Sequence, residues 1–337
     1  RAARVAFAGG SDSLQAPVFG TDKPVLALAG PGSGKTRTII AKAARLIEQN
    51  DWNTRSVALV TFTKAAAEEM RTRLQKAMPK NVTLSPRNTF IGTFHALSFR
   101  LLTAHWKKVG QINKVLTDYE ASALVGQAAN GFPAEKNSVP ELMASIARYK
   151  SLPKGYEFTA VDRESDHFKI FLAYEEKRSK LNALEKNDLV RECLALIHQK
   201  VINPLPVAHL LSDETQDADF VQIDWILAHY AAGIVPTVVA DDDQSIYAFR
   251  HAAGFAGLQR YATAVGAEIL PMTFNYRSGK AIVDAAQGIV AASPNRFPKT
   301  IEAKRDSKGS LLALRYPSEA DQAEWVVREA GEWLNSN

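Results

Sequence analysis

The chain has 337 residues, 46% of them hydrophobic and 23% charged, with a formal net charge of +5 and one cysteine. Its length serves two or three cores, its composition is that of an ordinary soluble protein, and no apolar run approaches the roughly 18–20 residues of a membrane span. Cys193 alone excludes an internal disulfide and any multi-cysteine zinc or iron–sulfur centre, which points to a reducing, cytoplasmic setting with no membrane partner. The charge is unevenly spread. Residues 1–100 carry 15 Lys and Arg against 6 Asp and Glu, whereas residues 191–337 carry 13 against 18. A basic first third suits a polyanion, with Arg71, Arg73 and Lys76 as candidate contacts; a solvated helix face accounts for each of them equally well.

In chain order, a polar approach through Asp22 leads to the apolar run 24–28, then to Ala29-Gly30-Pro31-Gly32-Ser33-Gly34-Lys35-Thr36. Ile39, Ile40, Ala43, Leu46 and Ile47 follow at helical spacing. Strand, glycine-rich loop and helix form a phosphate cradle: the glycines let backbone N–H groups converge on an anion and the helix aims its positive end at it. Lys35 is placed to reach the β and γ phosphates of a nucleoside triphosphate, and the Thr36 hydroxyl to ligate Mg²⁺. Ala29 stands where the first glycine of the pattern G-x-x-x-x-G-K-[ST] belongs.

The apolar run 57–62 predicts a buried parallel strand, 64–78 a helix ending before Pro79, and 89–94 a third strand leading into a helix. From 103 to 190 helical patterns broken by Gly110, Pro133, Pro140 and Pro153 predict an all-helical insertion. Alternation resumes with strands at 207–211, 234–240 and 267–272 and a helix at 220–230. The expected architecture is therefore α/β: a first, discontinuous domain from 1–102 and 191–272, split by the insertion at 103–190. A further segment from 273 to 337 reads as a helix at 279–291, a loop at 293–298, a strand at 310–316 and a helix at 318–334.

Two acidic stretches carry chemistry. Asp213 and Glu214 follow the strand at 207–211, and a phosphate-loop enzyme needs one carboxylate there for Mg²⁺ and another to orient the attacking water. Asp241-Asp242-Asp243-Gln244 follows the next strand. Three acids beside a triphosphate repel it unless most point away, so the neutral Gln244 is the residue expected to reach a γ-phosphate or water.

Together these pieces resemble the UvrD/Rep/PcrA family of superfamily one DNA helicases, with a RecA-like phosphate-loop core. Residues 61–70, Thr-Phe-Thr-Lys-Ala-Ala-Ala-Glu-Glu-Met, are similar to its T-F-T-x-x-A-A-x-E-M; Gly92-Thr93-Phe94-His95 to its G-T-F-H; and Asp213-Glu214-Thr215-Gln216-Asp217 to its D-E-x-Q-D. Residues 241–250 resemble D-D-D-Q-S-I-Y-x-[WF]-R, and Asn275-Tyr276-Arg277-Ser278 is N-Y-R-S. The resemblance implies that Tyr276 stacks on adenine, that Arg277 is an arginine finger, and that Arg37 and Gln15 contact the base. It further implies that Phe62, Tyr247 and Phe249 stack on successive bases of single-stranded DNA, with Thr63, Thr93, His95 and Arg250 close to the strand.

Lys64, where relatives often carry Asn, and Ala248, where many carry Arg, are mild departures. The T-x-H-x-x-K-G motif, the later motif with a second arginine finger and the large accessory insertion do not occur before Asn337, so residues 273–337 are expected to open a second RecA-like domain without completing it. The implied activity is ATP-dependent 3′–5′ translocation on single-stranded DNA or at a single/double-strand junction, with ATP and Mg²⁺ as cofactors and DNA repair among the processes such motors serve. Two alternatives stand beside it: a nucleotide-gated DNA-binding module or helicase fragment without motor activity of its own, and a small-molecule kinase built on a phosphate loop, which leaves the later motifs unexplained.

Overall fold

The computed structural model describes residues 15–109, 114–132 and 138–336. Among them are ten strands: β1 (Val25–Ala29), β2 (Val57–Thr61), β3 (Phe90–Thr93), β4 (Lys114–Val115), β5 (Ala183–Leu184), β6 (His209–Ser212), β7 (Val235–Ala240), β8 (Glu268–Met272), β9 (Phe274–Asn275) and β10 (Glu302–Ala303). Successive residues of the central strands serve opposite faces. In β1, Leu26 and Leu28 enter one apolar cluster while Val25, Ala27 and Ala29 enter another; in β2, Ala58 and Val60 separate likewise from Val57 and Leu59. Burial on both faces is what unbroken apolar runs demand, and helices on both sides of a parallel sheet satisfy it. Six strands lie parallel in the order β3-β2-β6-β7-β1-β8. This is the expected RecA-like α/β core.

Helices Lys35–Gln49 and Lys64–Ala77 cover one face; Phe94–Ala104, Lys186–His198, Phe220–Ala231 and Gly254–Val265 cover the other. The last of these lies between β7 and β8, where no helix is expected from the sequence pattern. The six strands of this sheet end on one side, and the loops that leave those carboxyl ends carry the motif residues, the general place for ligands in open α/β sheets.

The insertion has its own core of Tyr149, Phe168, Phe171 and Tyr174 among helices Asp118–Ala129, Val139–Lys150 and Asp166–Lys180. Capping boxes Thr117/Glu120 and Ser138/Glu141 start the first two, each satisfying backbone N–H groups at a helix end. It is not purely helical: β4 and β5 pair in parallel, Lys114 opposite Ala183 and Val115 opposite Leu184, and tie its two ends together. Helix Lys186–His198 runs straight through position 190, and Leu184, Leu189 and Val190 already belong to the sheet's cluster.

Beyond β8, β9 and β10 form a two-residue ladder and helix Lys280–Val290 buries Val283. The strand expected at 310–316 does not form. Leu311, Leu312 and Leu314 are exposed there, and among the described residues no strand lies beside them to accept a ladder, so β-propensity alone cannot hold the extended backbone as a strand.

Candidate nucleotide and nucleic-acid site

The phosphate loop joins β1 to helix Lys35–Gln49. Ala29 is a fully buried β1 residue without a positive φ, which is why a methyl group is tolerated where the motif has glycine. Gly32 and Gly34 differ: both have left-handed φ, +66° and +83°. A Cβ on Gly32 meets Arg277 Cβ at 2.8 Å, and one on Gly34 meets Gln15 Nε2 at 2.8 Å. Those approaches need the missing side chains as much as the dihedrals do. Gln15 Nε2 donates to the Ser33 carbonyl at 2.8 Å, so this residue braces the loop from behind.

The carboxylates converge on the loop from β6. Thr36 Oγ1 donates to Asp213 Oδ2 at 3.1 Å, and Lys35 Nζ lies 3.2 Å from Glu214 Oε2. Burial and the adjacent Glu214 push the Asp213 carboxyl up to about 6, against the pull of Lys35. Glu214 has φ +50° and ψ +40°, a left-handed conformation that costs a non-glycine residue about 1–3 kcal/mol and turns its carboxylate to the lysine. From Glu214 a hydrogen-bond chain continues: Gln216 Nε2 donates to Glu214 Oε2 (2.8 Å), the Asp241 N–H to Gln216 Oε1 (3.0 Å), and Gln244 Nε2 to Asp241 Oδ2 (2.7 Å). Gln216 lies in a quoted motif, yet its bridging role is invisible without the fold.

The donor set fits a nucleotide with Mg²⁺. Among the described residues Ser33 Oγ is buried in the loop without a hydrogen-bond partner, a group that an anion's oxygen can pair with, and the Thr36 hydroxyl beside the Asp213 carboxylate offers oxygen donors of the kind Mg²⁺ prefers. Tyr276 and Arg277 are brought to the same loop: Tyr276 N donates to the Gly32 carbonyl at 3.0 Å, while Asn275 Oδ1 accepts from the N–H groups of Arg277 and Ser278 at 2.8 Å each. A cavity of about 310 Å³ beside them is lined by Pro31, Asp241, Gln244, Asn275, Arg277 and Ile301, among others. Arg37 is exposed on the first turn of the helix.

The acids at 241–243 are engaged by basic residues, and Asp241 and Asp243 still line the cavity beside Pro31 and Arg277. They surround Lys299, and Arg296 joins them with two 2.8 Å bonds to Asp243. Residues 293–298 read in the sequence as a mere loop; Arg296 within it and Lys299 just after it, opposite three consecutive acids elsewhere, are the signal that marks them.

A second group gathers at the tips of β2 and β3 and after β7. Phe62 stacks on Tyr247 with ring centroids 5.5 Å apart and planes at 26°, and Tyr247 meets Phe249 at 5.8 Å. Phe249 is 72% exposed, which excludes core packing for that ring. Thr63 and Thr93 cap the helices after them, their hydroxyls accepting from the N–H groups of Ala66 and Ala96 and keeping a proton to donate. Burial, then nearby Lys186, pulls His95 down to about 4, so its imidazole is neutral at pH 7. The side chain of Arg250 lies outside the described residues. Arg71 pairs with Glu68 and the Ile91 carbonyl and Arg73 with Glu69, so these two arginines are engaged on their own helix face and its neighbouring strand.

Residues 11–261 match the profile of the UvrD/REP helicase N-terminal domain family. Among curated proteins the chain is similar to DNA helicase II of Haemophilus influenzae, 28% identical over 325 residues, covering 92% of this chain and 44% of that protein. It is also similar to the putative ATP-dependent DNA helicase YjcD of Bacillus subtilis, at 31% over 352 residues (97% and 44%), and to the ATP-dependent DNA helicase Rep of Escherichia coli, at 28% over 317 residues (91% and 47%). The chain thus spans less than half the length of each of these relatives. A phosphate loop, strand-tip carboxylates and an aromatic stack on one parallel sheet, together with a profile match over most of the chain, show that it belongs to the UvrD/REP helicase N-terminal domain family.

Proposed function

We propose that the chain is the nucleotide-hydrolysing and DNA-gripping part of an ATP-dependent helicase that moves 3′ to 5′ on single-stranded DNA or at a single/double-strand junction. The observation that carries this is the unbroken set of contacts from Lys35 through Glu214, Gln216 and Asp241 to Gln244, three residues before Tyr247 of the aromatic stack. It links the place where a γ-phosphate sits to the place where bases stack. Residues Gly30 to Thr36 hold the triphosphate, Thr36 and Asp213 hold Mg²⁺, Tyr276 takes the adenine, and Arg37 and Gln15 complete the base end. When bound, Mg²⁺ neutralises charge on the β and γ phosphates. Glu214 orients water, and Lys35 and Arg277 stabilise charge on the transferring phosphoryl group. Phe62, Tyr247 and Phe249 stack bases, with Thr63, Thr93, His95 and Arg250 along the strand.

The test is steady-state ATP hydrolysis with and without a single-stranded oligonucleotide, with Glu214→Gln as control. Stimulation by DNA that falls about 100-fold or more in the variant, while nucleotide binding survives, supports the reading. DNA binding without turnover replaces it with a nucleotide-gated binding module. Phosphoryl transfer to a small acceptor without DNA overturns it.

A further inference from the structure

Lys299 has no exposed side-chain surface, yet carries a charge. Its Nζ lies 2.9 Å from Asp241 Oδ1 and 3.2 Å from Asp243 Oδ2 and also bonds Asp242. Around it, Arg296 grips Asp243 and the Phe297 N–H donates to Asp242 Oδ2 at 2.6 Å. The three carboxylates stand close enough together to hold a metal ion, but the lysine ammonium fills that place. Burial alone lowers the basicity of Lys299; the carboxylates, Asp241 first, outweigh it and hold the ammonium protonated.

Asp241 is where this cage meets the catalytic chain. Its Oδ1 takes Lys299, its Oδ2 accepts from Gln244, and its N–H donates to Gln216 Oε1. A backbone N–H can only donate, so it fixes the Gln216 amide with oxygen toward Asp241 and NH₂ toward Glu214 Oε2. Lys299 itself comes from the segment after the six-stranded sheet, in the loop that follows helix Lys280–Val290. Without its ammonium, three carboxylates face one another in a buried space, and they must splay or take up protons.

We propose that Lys299 is a positioning residue for ATP hydrolysis: it holds Asp241 so that Gln216 and Gln244 are aimed, and through Gln216 the Glu214 carboxylate, making hydrolysis depend on the docking of the 294–299 loop. The inference rests on the ATP-hydrolysing reading above. Because the contacts reach the phosphate loop only through the Glu214–Lys35 ion pair and do not include the loop backbone that binds phosphates, loss of Lys299 acts on turnover far more than on nucleotide affinity.

A double-mutant cycle of Lys299→Met and Gln216→Leu in this chain tests it, read as kcat of DNA-stimulated hydrolysis and as Kd for ATP and ADP by displacement of a fluorescent nucleotide. Lys299→Met is expected to lower kcat about tenfold or more with the ATP Kd within about threefold, and the double variant to be no slower than the slower single one, since both act on one path. Turnover by Lys299→Met within about twofold of the unaltered chain, or losses that multiply in the double variant, overturns the proposal. If Lys299→Met alone does not fold by circular dichroism, Asp242→Asn is added to restore the net charge of the cage, and the cycle is run in that background with the same criteria. If the unaltered chain binds ATP without turnover, the ATP-hydrolysing reading fails and this inference, which rests on it, is overturned with it. A chain that binds no nucleotide overturns the ATP reading itself, whereas nucleotide binding and turnover indifferent to Lys299 overturn this inference alone.

Discussion

Lys35 in the phosphate loop faces the carboxylate of Glu214 at 3.2 Å, with a tenth of its side chain exposed. A flexible ammonium held that closely by a carboxylate is prepositioned, not wandering in solvent, and it can leave Glu214 for a phosphate without crossing the site. On the proposed ATP-hydrolysing reading, its replacement by alanine removes both a ground-state phosphate contact and the charge that meets the transition state. Lys35→Ala is therefore expected to lower kcat/KM for ATP by at least about 100-fold, roughly 3 kcal/mol, and steady-state hydrolysis checks it. Turnover unchanged by that substitution removes the site assignment. The same residue shows what one-dimensional reading does well: Lys35 and Thr36 sit in a contiguous motif whose local geometry is nearly self-contained. Lys299 shows the opposite, since it meets Asp241 from 58 positions away, and no periodicity or short motif reports a pairing made by the fold.

At the scale of elements, the strands at 24–28, 57–62 and 234–240 are legible because burial on two faces leaves an uninterrupted apolar run. Helix Gly254–Val265 is harder: Gly254 and Gly257 suggest a loop, and only Leu258, Tyr261 and Val265 mark the buried face. The absent strand at 310–316 fails for the converse reason, because sequence displays propensity and not the neighbour a strand needs. The junction between insertion and sheet likewise depends on long-range pairing. Lys150, fully buried, lies 3.0 Å from Glu175, 2.6 Å from Glu185 and 2.9 Å from Asp188, while Arg178 also pairs with Glu175 and Asp188. Removing one partner leaves buried charge uncompensated, so Lys150→Ala is expected to cost about 3–5 kcal/mol in urea unfolding. For Glu175, burial alone raises the carboxyl, but Lys150 and Arg178 outweigh it and bring it from 4.5 to about 2. Its folded value lies below its unfolded one, so its contribution is fully present above pH 4.5 and is lost as pH falls toward 2. Glu175→Gln should flatten the slope of stability against pH in that window.

Across the whole molecule, the two candidate sites share the carboxyl edge of one sheet but use different physics. The proposed nucleotide end is a closed set of charges and oriented amides, whereas the proposed DNA end is an open stack of rings, Phe62 on Tyr247 and Tyr247 beside Phe249. On the proposed DNA-gripping reading, the basic surplus of the first 100 residues supplies attraction to a phosphate backbone, and that part of the affinity weakens with salt. Ring stacking adds to it without releasing counterions. Phe249→Ala is accordingly expected to weaken single-strand binding by about 1–3 kcal/mol, roughly 5- to 150-fold in Kd, while the slope of log Kd against log salt stays that of the unaltered chain. Fluorescence anisotropy with one labelled oligonucleotide at several salt concentrations measures both quantities at once. An unchanged Kd removes Phe249 from the DNA path. A changed slope shows instead that the substitution disturbs phosphate contacts, so that the exposed ring acts by shaping the loop after β7 and not by stacking on a base.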